Sequence, residues 1–381
     1  MGHPPRELAR GVVDNGEDGR SGSGPEAVEG PVDPVAEASA TEAGPDGAAR
    51  RRSAGAHVPW PGAYTHLAAL VSSSDEAVAV AASFVEEGLR QGDLPVLGCP
   101  PETAEAVRRA LGTRVGTVED DARICLIGVR APDAVVVTRR LLQRAQGTGS
   151  GRLRILAEPQ WDADPRRRRE VQRYEAASNA FMTGTPVTAM CLYDQERLPA
   201  EILAGARQTH PELVHDGIRV ASPEFRRPEA FLRDLGVARE PLEAREPVYA
   251  VDAAPTLPAL RGALRRVFAE CVPDDDQRAD LHLAVSEVAA NAFRHGRQPV
   301  AARVWTDGTA MVCTISDGGT SFDDPLTGFV PAHGDDLAVG GMGLWLARKL
   351  WDSVDLLAGA HGFTVRLSTA LVPSAAGVGA A

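Results

Sequence analysis

Lysine is almost absent from this chain. Lys349 is the single lysine among 40 basic residues in 381, and the rest are arginine. A phosphate-cradling Gly-x-x-x-x-Gly-Lys-Ser/Thr loop needs a lysine at the mouth of a helix, so a Walker-type nucleotide site is excluded from the N-terminal part of the chain. Cysteine is scarce as well. Cys99, Cys125, Cys191, Cys271 and Cys313 are scattered, odd in number and form no C-x-x-C pair. That pattern argues against a disulfide framework or a local zinc motif and fits a reduced compartment. No window approaches the roughly 20 apolar residues of a membrane span. No basic segment followed by an apolar stretch opens the chain, so no signal peptide is expected, and the protein is expected in the cytoplasm, off the membrane. The net charge of −12 lacks the concentrated basic surface that binding a phosphate backbone requires, so direct nucleic-acid contact is not expected. The arginine bias, with abundant Ala, Gly and Pro, reads as pressure from a GC-rich genome.

What is present divides into regions. The hydrophobic fraction of 44% is ample for buried cores. Residues 1–60 are poor in large apolar side chains and read as a disordered tail, because they cannot bury enough surface to offset ordering entropy. The triplet Arg50-Arg51-Arg52 near the tail's end reads as solvated linker, or else as a contact for an acidic partner. From Tyr64 onward, apolar strands such as His66–Val71, Leu94–Leu97, Leu153–Ala157 and Val187–Leu192 alternate with helical stretches, and Arg123–Ile127 reads as a further short strand. Alternation of this kind predicts an α/β domain with a mainly parallel sheet over 61–225. Prolines and charges from about residue 213 onward read as linker, bounded at 226–248, with a short helix around Glu229–Leu235. A second domain, 249–372, shows helices at Leu257–Cys271 and Asp280–His295. It continues with strands Ala301–Trp305 and Met311–Ser316 around a Thr-Asp-Gly turn, a helix from Gly343 and two further strands. Helices on one side of a mostly antiparallel sheet make an α+β sandwich, followed by a short tail at 373–381.

Three short stretches of the second domain carry chemistry. On the helix around Asp280–His295, Leu281, Val285, Val288 and Ala292 form an apolar stripe. Glu287 and Asn291 lie one turn apart beside that stripe. A carboxylate beside an amide can orient a hydroxyl and offer an oxygen to Mg²⁺, which prefers hard oxygen ligands and keeps several waters. Asp317 leaves a strand with Gly319 two residues on, where an acceptor can read an exocyclic amino group. Gly340, Gly341 and Gly343 precede a helix beginning near Leu344, presenting free N–H groups to phosphate. Each stretch also has a bland reading, as a polar helix face, an ordinary turn and a loop before a helix.

Their order and spacing resemble the GHKL (Bergerat-fold) ATPase family over about residues 250–370. Within that family, Ala284–Gly296 and Gly340–Arg348 look most like the anti-sigma-factor serine/threonine kinases. The resemblance implies ATP and Mg²⁺ as cofactors, with Asn291 on Mg²⁺, Asp317 on adenine, Gly319, Gly341, Gly343 and Leu344 lining the nucleotide, and Glu287 as general base. It implies an enzyme, a serine/threonine protein kinase. Its partner would be an anti-anti-sigma (STAS) protein, a sigma factor or both, and it could act as a homodimer. One departure is the lid segment Phe329–Val339, which is poorer in glycine and basic residues than longer family lids and carries Asp335 and Asp336. Two alternatives stand beside it. One is a sensor histidine kinase lacking its own phosphoacceptor, since His282 lies on the pocket helix itself. The other is a non-catalytic module in which ATP only fixes conformation.

In the first domain, Ala157-Glu158-x-x-Trp161, Cys191-x-Tyr193-Asp194 and Thr209-His210-Pro211 follow strands or helices. The carboxyl edge of an open α/β sheet is where ligands bind. His66, Glu158, Trp161, Asp194 and His210 are therefore candidates to converge on a signal molecule, or else to cap strands. His66 and His210 could share a metal, although nothing local supplies ligand spacing. These segments resemble the MEDS sensory domain over about 60–225, which implies a RecA-like sheet without its phosphate loop. The basic cluster Arg166–Arg169 with Arg173 reads as a solvated helix face, flanked as it is by Asp162, Asp164, Glu170 and Glu175.

Overall fold

The computed structural model describes residues 64–114, 116, 118–147, 149–215, 217–236, 240–319, 324–331, 342–359 and 362–373. The expected tail 1–60, residues 374–381 of the other tail, the arginine triplet, Asp335, Asp336, Gly340 and Gly341 lie outside the described residues.

The first sheet has the order β3-β2-β4-β5-β1-β6-β7. Its strands are β1 (Thr65–Val71), β2 (Leu94–Gly98), β3 (Glu119–Asp120), β4 (Leu153–Ala157), β5 (Val187–Asp194), β6 (Glu212–His215) and β7 (Ile218–Ala221). All neighbours pair in parallel except β6 with β7. β1, β2 and β4 are buried at every position, as continuous apolar strands covered on both faces should be. The helices between them are α1 (Ser74–Gln91), α2 (Pro101–Leu111), α3 (Ala131–Ala145), α4 (Pro165–Phe181) and α5 (Ala200–Thr209). Phe84 and Val85 of α1 and Val107 of α2 pack on one face of the sheet. Val137 and Leu141 of α3 and Ile202 of α5 pack on the other.

The first domain departs from the sequence reading in two places. The expected strand at Arg123–Ile127 is a 3-10 turn over Ala122–Cys125, started where Asp121 accepts the Arg123 N–H and ended by Leu126 at φ 61°. The stretch read as linker from residue 213 begins with the β6–β7 hairpin, which adds an antiparallel edge and makes the sheet mixed. The rest of that stretch also packs. Phe231 on α6 (Pro228–Asp234) and Leu242 in the 3-10 turn Pro241–Ala244 are both buried.

The second sheet runs β11-β12-β10-β9-β8, antiparallel throughout. It comprises β8 (Tyr249–Val251), β9 (Ala301–Thr306), β10 (Ala310–Asp317), β11 (Ser353–Gly359) and β12 (Gly362–Ala370). Helices α7 (Leu257–Cys271), α8 (Asp275–His295) and α9 (Gly343–Leu350) complete the domain. The stripe Leu281, Val285, Val288 and Ala292 is buried against Leu264, Phe268, Ile315 and Leu367. α8 starts at Asp275, five residues before the expected start at Asp280. Asp274 caps it by accepting the Gln277 N–H at 2.8 Å, and Asp275 and Asp276 favour the positive end of the helix dipole.

The two sheets belong to one compact unit, and α4 forms much of the seam. The arginines of α4 do not make a solvated face. Arg169 and Arg173 are buried. Arg173 binds Glu170 on its own helix and Asp355 on β11. Asp355 also receives two hydrogen bonds from Arg366 on β12, at 2.6 and 3.0 Å. Glu170 accepts from the Ser353 hydroxyl at 2.9 Å and the Val354 N–H at 3.3 Å. Arg166 pairs with Glu240 at 2.9 Å, and the sole lysine, Lys349, pairs with Asp133 on α3. The cluster looks like a solvated face in sequence because its acidic partners are distant in the chain.

Candidate functional site

A cavity of about 280 Å³ opens between α8, the end of β10, β12 and the start of α9. Val288, Ala292, Ile315, Leu344, Phe363 and Val365 give it apolar walls, and Asn291, His295, Asp317 and Thr327 bring polar atoms. An apolar slot with a few placed polar groups is the general form of a small-ligand site.

Asp317 is held rather than loose. Its Oδ1 accepts from the Gly319 N–H at 2.7 Å and the Arg297 N–H at 3.2 Å. Its other carboxylate oxygen makes no hydrogen bond among the described residues, so it can accept from a ligand. Two glycines make this possible. A Cβ on Gly296 would lie 2.4 Å from Asp317 Cγ, and one on Gly319 would lie 2.6 Å from Asp317 Oδ1. Neither position has room for a side chain.

Asn291 lies at the other end. A Cβ on Gly343 would stand 2.6 Å from Asn291 Nδ2 and 3.5 Å from Glu287 Cβ. The first residue of α9 therefore sits against both functional side chains of α8. No side chain among the described residues caps α9, so its first N–H groups can receive an anion. Glu287 stands one turn before Asn291, beside the cavity rather than in its wall, and Arg261 of α7 reaches it at 3.3 Å.

The structure thus gathers Glu287, Asn291, Asp317, Gly319, Gly343 and Leu344 around one cavity, while Gly341 lies outside the described residues. Sequence reasoning missed Arg261, Gly296, Thr327, Phe363 and Val365. Only Gly296 carried a local signal, as a glycine directly after a helix end.

The donor set fits ATP with Mg²⁺. It has an acceptor fixed beside an apolar slot for a purine, an amide oxygen for a hard cation and an uncapped helix start for phosphate.

Thr327 links this cavity to the first domain. Its carbonyl accepts from Arg348 Nε at 3.2 Å, and the Arg348 guanidinium lies 4.3 Å from the Phe329 ring centre. Phe329 is buried among Leu126, Ala131, Val135, Val171 and Tyr174. The segment leaving the nucleotide cavity is therefore seated in the first domain.

Of the five residues expected to converge there, the structure joins two. The His66 and His210 rings are 4.0 Å apart. Their neighbours are Glu175 of α4 and Cys191 of β5, and the four side chains are buried. This cluster lies on the face of the sheet beneath α4, not at its carboxyl edge. Asp194 stays at that edge, its Oδ1 accepting the Glu196 and Arg197 N–H groups at 2.9 and 3.1 Å. Trp161 packs on Tyr193 with ring centres 6.0 Å apart. Glu158 Oε2, Trp161 Nε1 and Tyr193 Oη are buried without a hydrogen-bond partner among the described residues.

Comparison with known proteins agrees with both halves. Residues 65–211 match the family model for the methanogen/methylotroph, DcmR sensory domain (MEDS). Residues 250–369 match the histidine kinase-like ATPase domain. The chain carries a MEDS sensory domain followed by a histidine kinase-like ATPase domain. It is 34% identical over 102 residues to the serine-protein kinase RsbW of Bacillus pumilus (strain SAFR-032). That match covers 23% of this chain and 62% of the relative's length. A solved structure of the RsbU and RsbW domains of Rv1364c from Mycobacterium tuberculosis matches 34% of each chain at 21% identity with a TM-score of 0.25. No helix among the described residues is long and apolar enough to cross a membrane.

Proposed function

We propose that this chain is a signalling regulator whose MEDS domain governs an ATP-Mg²⁺-dependent serine/threonine protein kinase. Its protein substrate belongs to the anti-anti-sigma class, and the same domain can sequester a sigma factor. The observation that carries this reading is the convergence of Glu287, Asn291 and Gly343 at one end of a cavity whose other end holds Asp317. Bound ATP-Mg²⁺ supplies the transferable γ-phosphoryl group and neutralises charge on it. Asp317 then orients the purine, Asn291 offers an oxygen to the cation, and the start of α9 faces the phosphates. Glu287 accepts the proton of the partner's Ser or Thr hydroxyl as that oxygen gains the phosphoryl group and ADP leaves. Such transfer depends mainly on positioning and charge neutralisation, so few residues suffice. Arg261 fixes the Glu287 carboxylate between uses. A phosphoacceptor on the partner fits the ATPase domain's relatedness to a serine-protein kinase.

The test has two arms. ATP-Mg²⁺ should raise the melting temperature of the full chain but not of Asn291→Ala. Wild type should transfer radiolabelled γ-phosphate to an anti-anti-sigma protein, and Glu287→Gln should bind ATP yet transfer at least 100-fold more slowly. Absence of any ATP shift in the wild type would sink the nucleotide site. Partner affinity that depends on ATP but is indifferent to Glu287→Gln, with no transfer, would establish a non-catalytic binding module instead.

A further inference from the structure

The geometry points to a divalent transition-metal site of the zinc class in the sensory domain, formed by His66, Glu175, Cys191 and His210. The four come from β1, α4, β5 and the residue ending α5, so no local spacing announces them. Their ligand atoms all lie within 4.8 Å of one another. Glu175 Oε2 is 3.3 Å from His66 Nε2 and 3.2 Å from His210 Nε2. Cys191 Sγ is 3.5 Å from His66 Nε2 and 3.6 Å from Glu175 Oε2. Around a tetrahedral zinc, nitrogen and oxygen donors at about 2.1 Å stand ~3.4 Å apart, and a sulfur at about 2.3 Å stands ~3.6 Å from them. These four contacts have the spacing that a central ion imposes.

Hydrogen bonding outside the cluster fixes both imidazoles in the ligating form. His210 Nδ1 lies 2.9 Å from the Ala206 carbonyl, which can only accept. His66 Nδ1 lies 3.1 Å from Asn179 Oδ1, while Asn179 Nδ2 donates to the Thr209 carbonyl at 2.7 Å. Both Nδ1 atoms therefore carry a proton, and each ring turns its Nε2 toward the cluster. His210 Nε2 is buried and makes no hydrogen bond among the described residues, despite its closeness to Glu175. Two Nε2 atoms, a carboxylate oxygen and the Cys191 thiol, which donates to Glu175 Oε2, converge in a buried site, and a cation at their centre would satisfy all four at once. Outer hydrogen bonds of this kind are the usual support of metal-bound histidine, and the mixed nitrogen, oxygen and sulfur donors suit zinc.

A cavity of about 40 Å³ touches the cluster through His66, Glu175 and Cys191. It has room for water or a very small ligand beside the ion. Occupancy has a path outward. Glu175 follows Tyr174, which packs with Phe329, and α4 also holds Glu170 and Arg173 on the ATPase domain.

The test refolds the full chain with Zn²⁺ or Co²⁺, removes free ion by dialysis, and measures metal content and absorption. One ion per chain should remain. The Co²⁺ form should show a thiolate charge-transfer band that Cys191→Ser removes and Cys313→Ser leaves. Asn179→Ala, which keeps every ligand, should weaken Zn²⁺ binding about 10- to 100-fold. Wild-type chain that retains no ion overturns the site, as does a cobalt band surviving Cys191→Ser. Because the wild-type measurement decides alone, a variant that fails to fold cannot rescue the proposal.

Discussion

The nucleotide cavity and the buried cluster are opposite solutions to holding a ligand. The cavity is about 280 Å³, and its polar atoms point into space with capacity to spare, as the second oxygen of Asp317 does. The cluster adjoins only about 40 Å³, and its polar atoms point at each other. The first arrangement suits a large polar ligand that enters and leaves with each turnover. The second suits something small and held for long, because opening it would disturb β1, α4, β5 and the end of α5 together. α4 carries Glu175 of the cluster and, through Glu170 and Arg173, forms the seam with β11.

A substitution in that seam should have the largest effect. Asp355→Ala removes the carboxylate that Arg173 and Arg366 share, leaving Arg173 with Glu170 and Arg366 with Glu243. Breaking one member of a buried ionic network costs about 3–5 kcal/mol, read as a fall in the urea midpoint at constant slope. Acid should erase the difference. Burial alone would raise the Asp355 carboxyl, but attraction and hydrogen bonds from Arg173 and then Arg366 hold it below the usual range. A depressed carboxyl contributes its stability above the unfolded value of about 3.9 and loses it as pH falls through the native value. The gap between wild type and variant should therefore be flat from about pH 7 to 5 and close only below about pH 4. A variant within ~1 kcal/mol of wild type at neutral pH would mean that the seam does not join the two halves.

The same contrast explains what is legible in the sequence. The nucleotide site is readable because its parts are local. Glu287 and Asn291 share a helix, Asp317 and Gly319 share a turn, and Gly343 opens a helix. The apolar stripe on α8 and the hairpin of β9 and β10 are visible for the same reason. The sensory cluster is only half visible. His66 and His210 stand out, but Glu175 reads as part of a charged helix face and Cys191 as a mark at a strand end. Only the parallel register of β1 with β5, which sets His66 opposite Ala189 and Ala68 opposite Cys191, brings them beneath α4. The arginines of α4 mislead for the same physical reason, since Asp355 lies 182 positions from Arg173. Periodicity reports which face of a helix is charged, not whether distant carboxylates cover it.

Next in size is Asp317→Asn. The amide oxygen can still accept from the Gly319 and Arg297 N–H groups that hold Asp317 now, so the fold should persist. What changes is the free atom, which turns from acceptor to donor where the proposed site would place the purine amino group. Hydrogen bonds to a charged group are worth about 1.5–3 kcal/mol, so ATP affinity should fall roughly 10- to 100-fold by calorimetry. Zinc retention should be untouched. Unchanged ATP affinity would place the purine elsewhere, and loss of both ligands would mean that the two sites are not distinct.

The smallest effect belongs to the rim of the seam. Arg130 reaches Asp352 across the domain boundary at 2.7 Å, but their side chains remain 34% and 45% exposed. Water already screens such a pair, and ordering two side chains offsets much of its attraction, so pairs like it contribute about 0–1 kcal/mol. Arg130→Ala is the clean probe, because Asp352 also accepts from the Thr369 hydroxyl and the Ala370 N–H at 2.8 and 2.9 Å. A double-mutant cycle of Arg130→Ala with Asp352→Asn should give a coupling below ~1 kcal/mol that shrinks further in salt. A coupling as large as the loss at Asp355 would show that position in the seam, rather than burial, sets the strength of these links. The two ligand sites would then be joined through their surface as firmly as through α4.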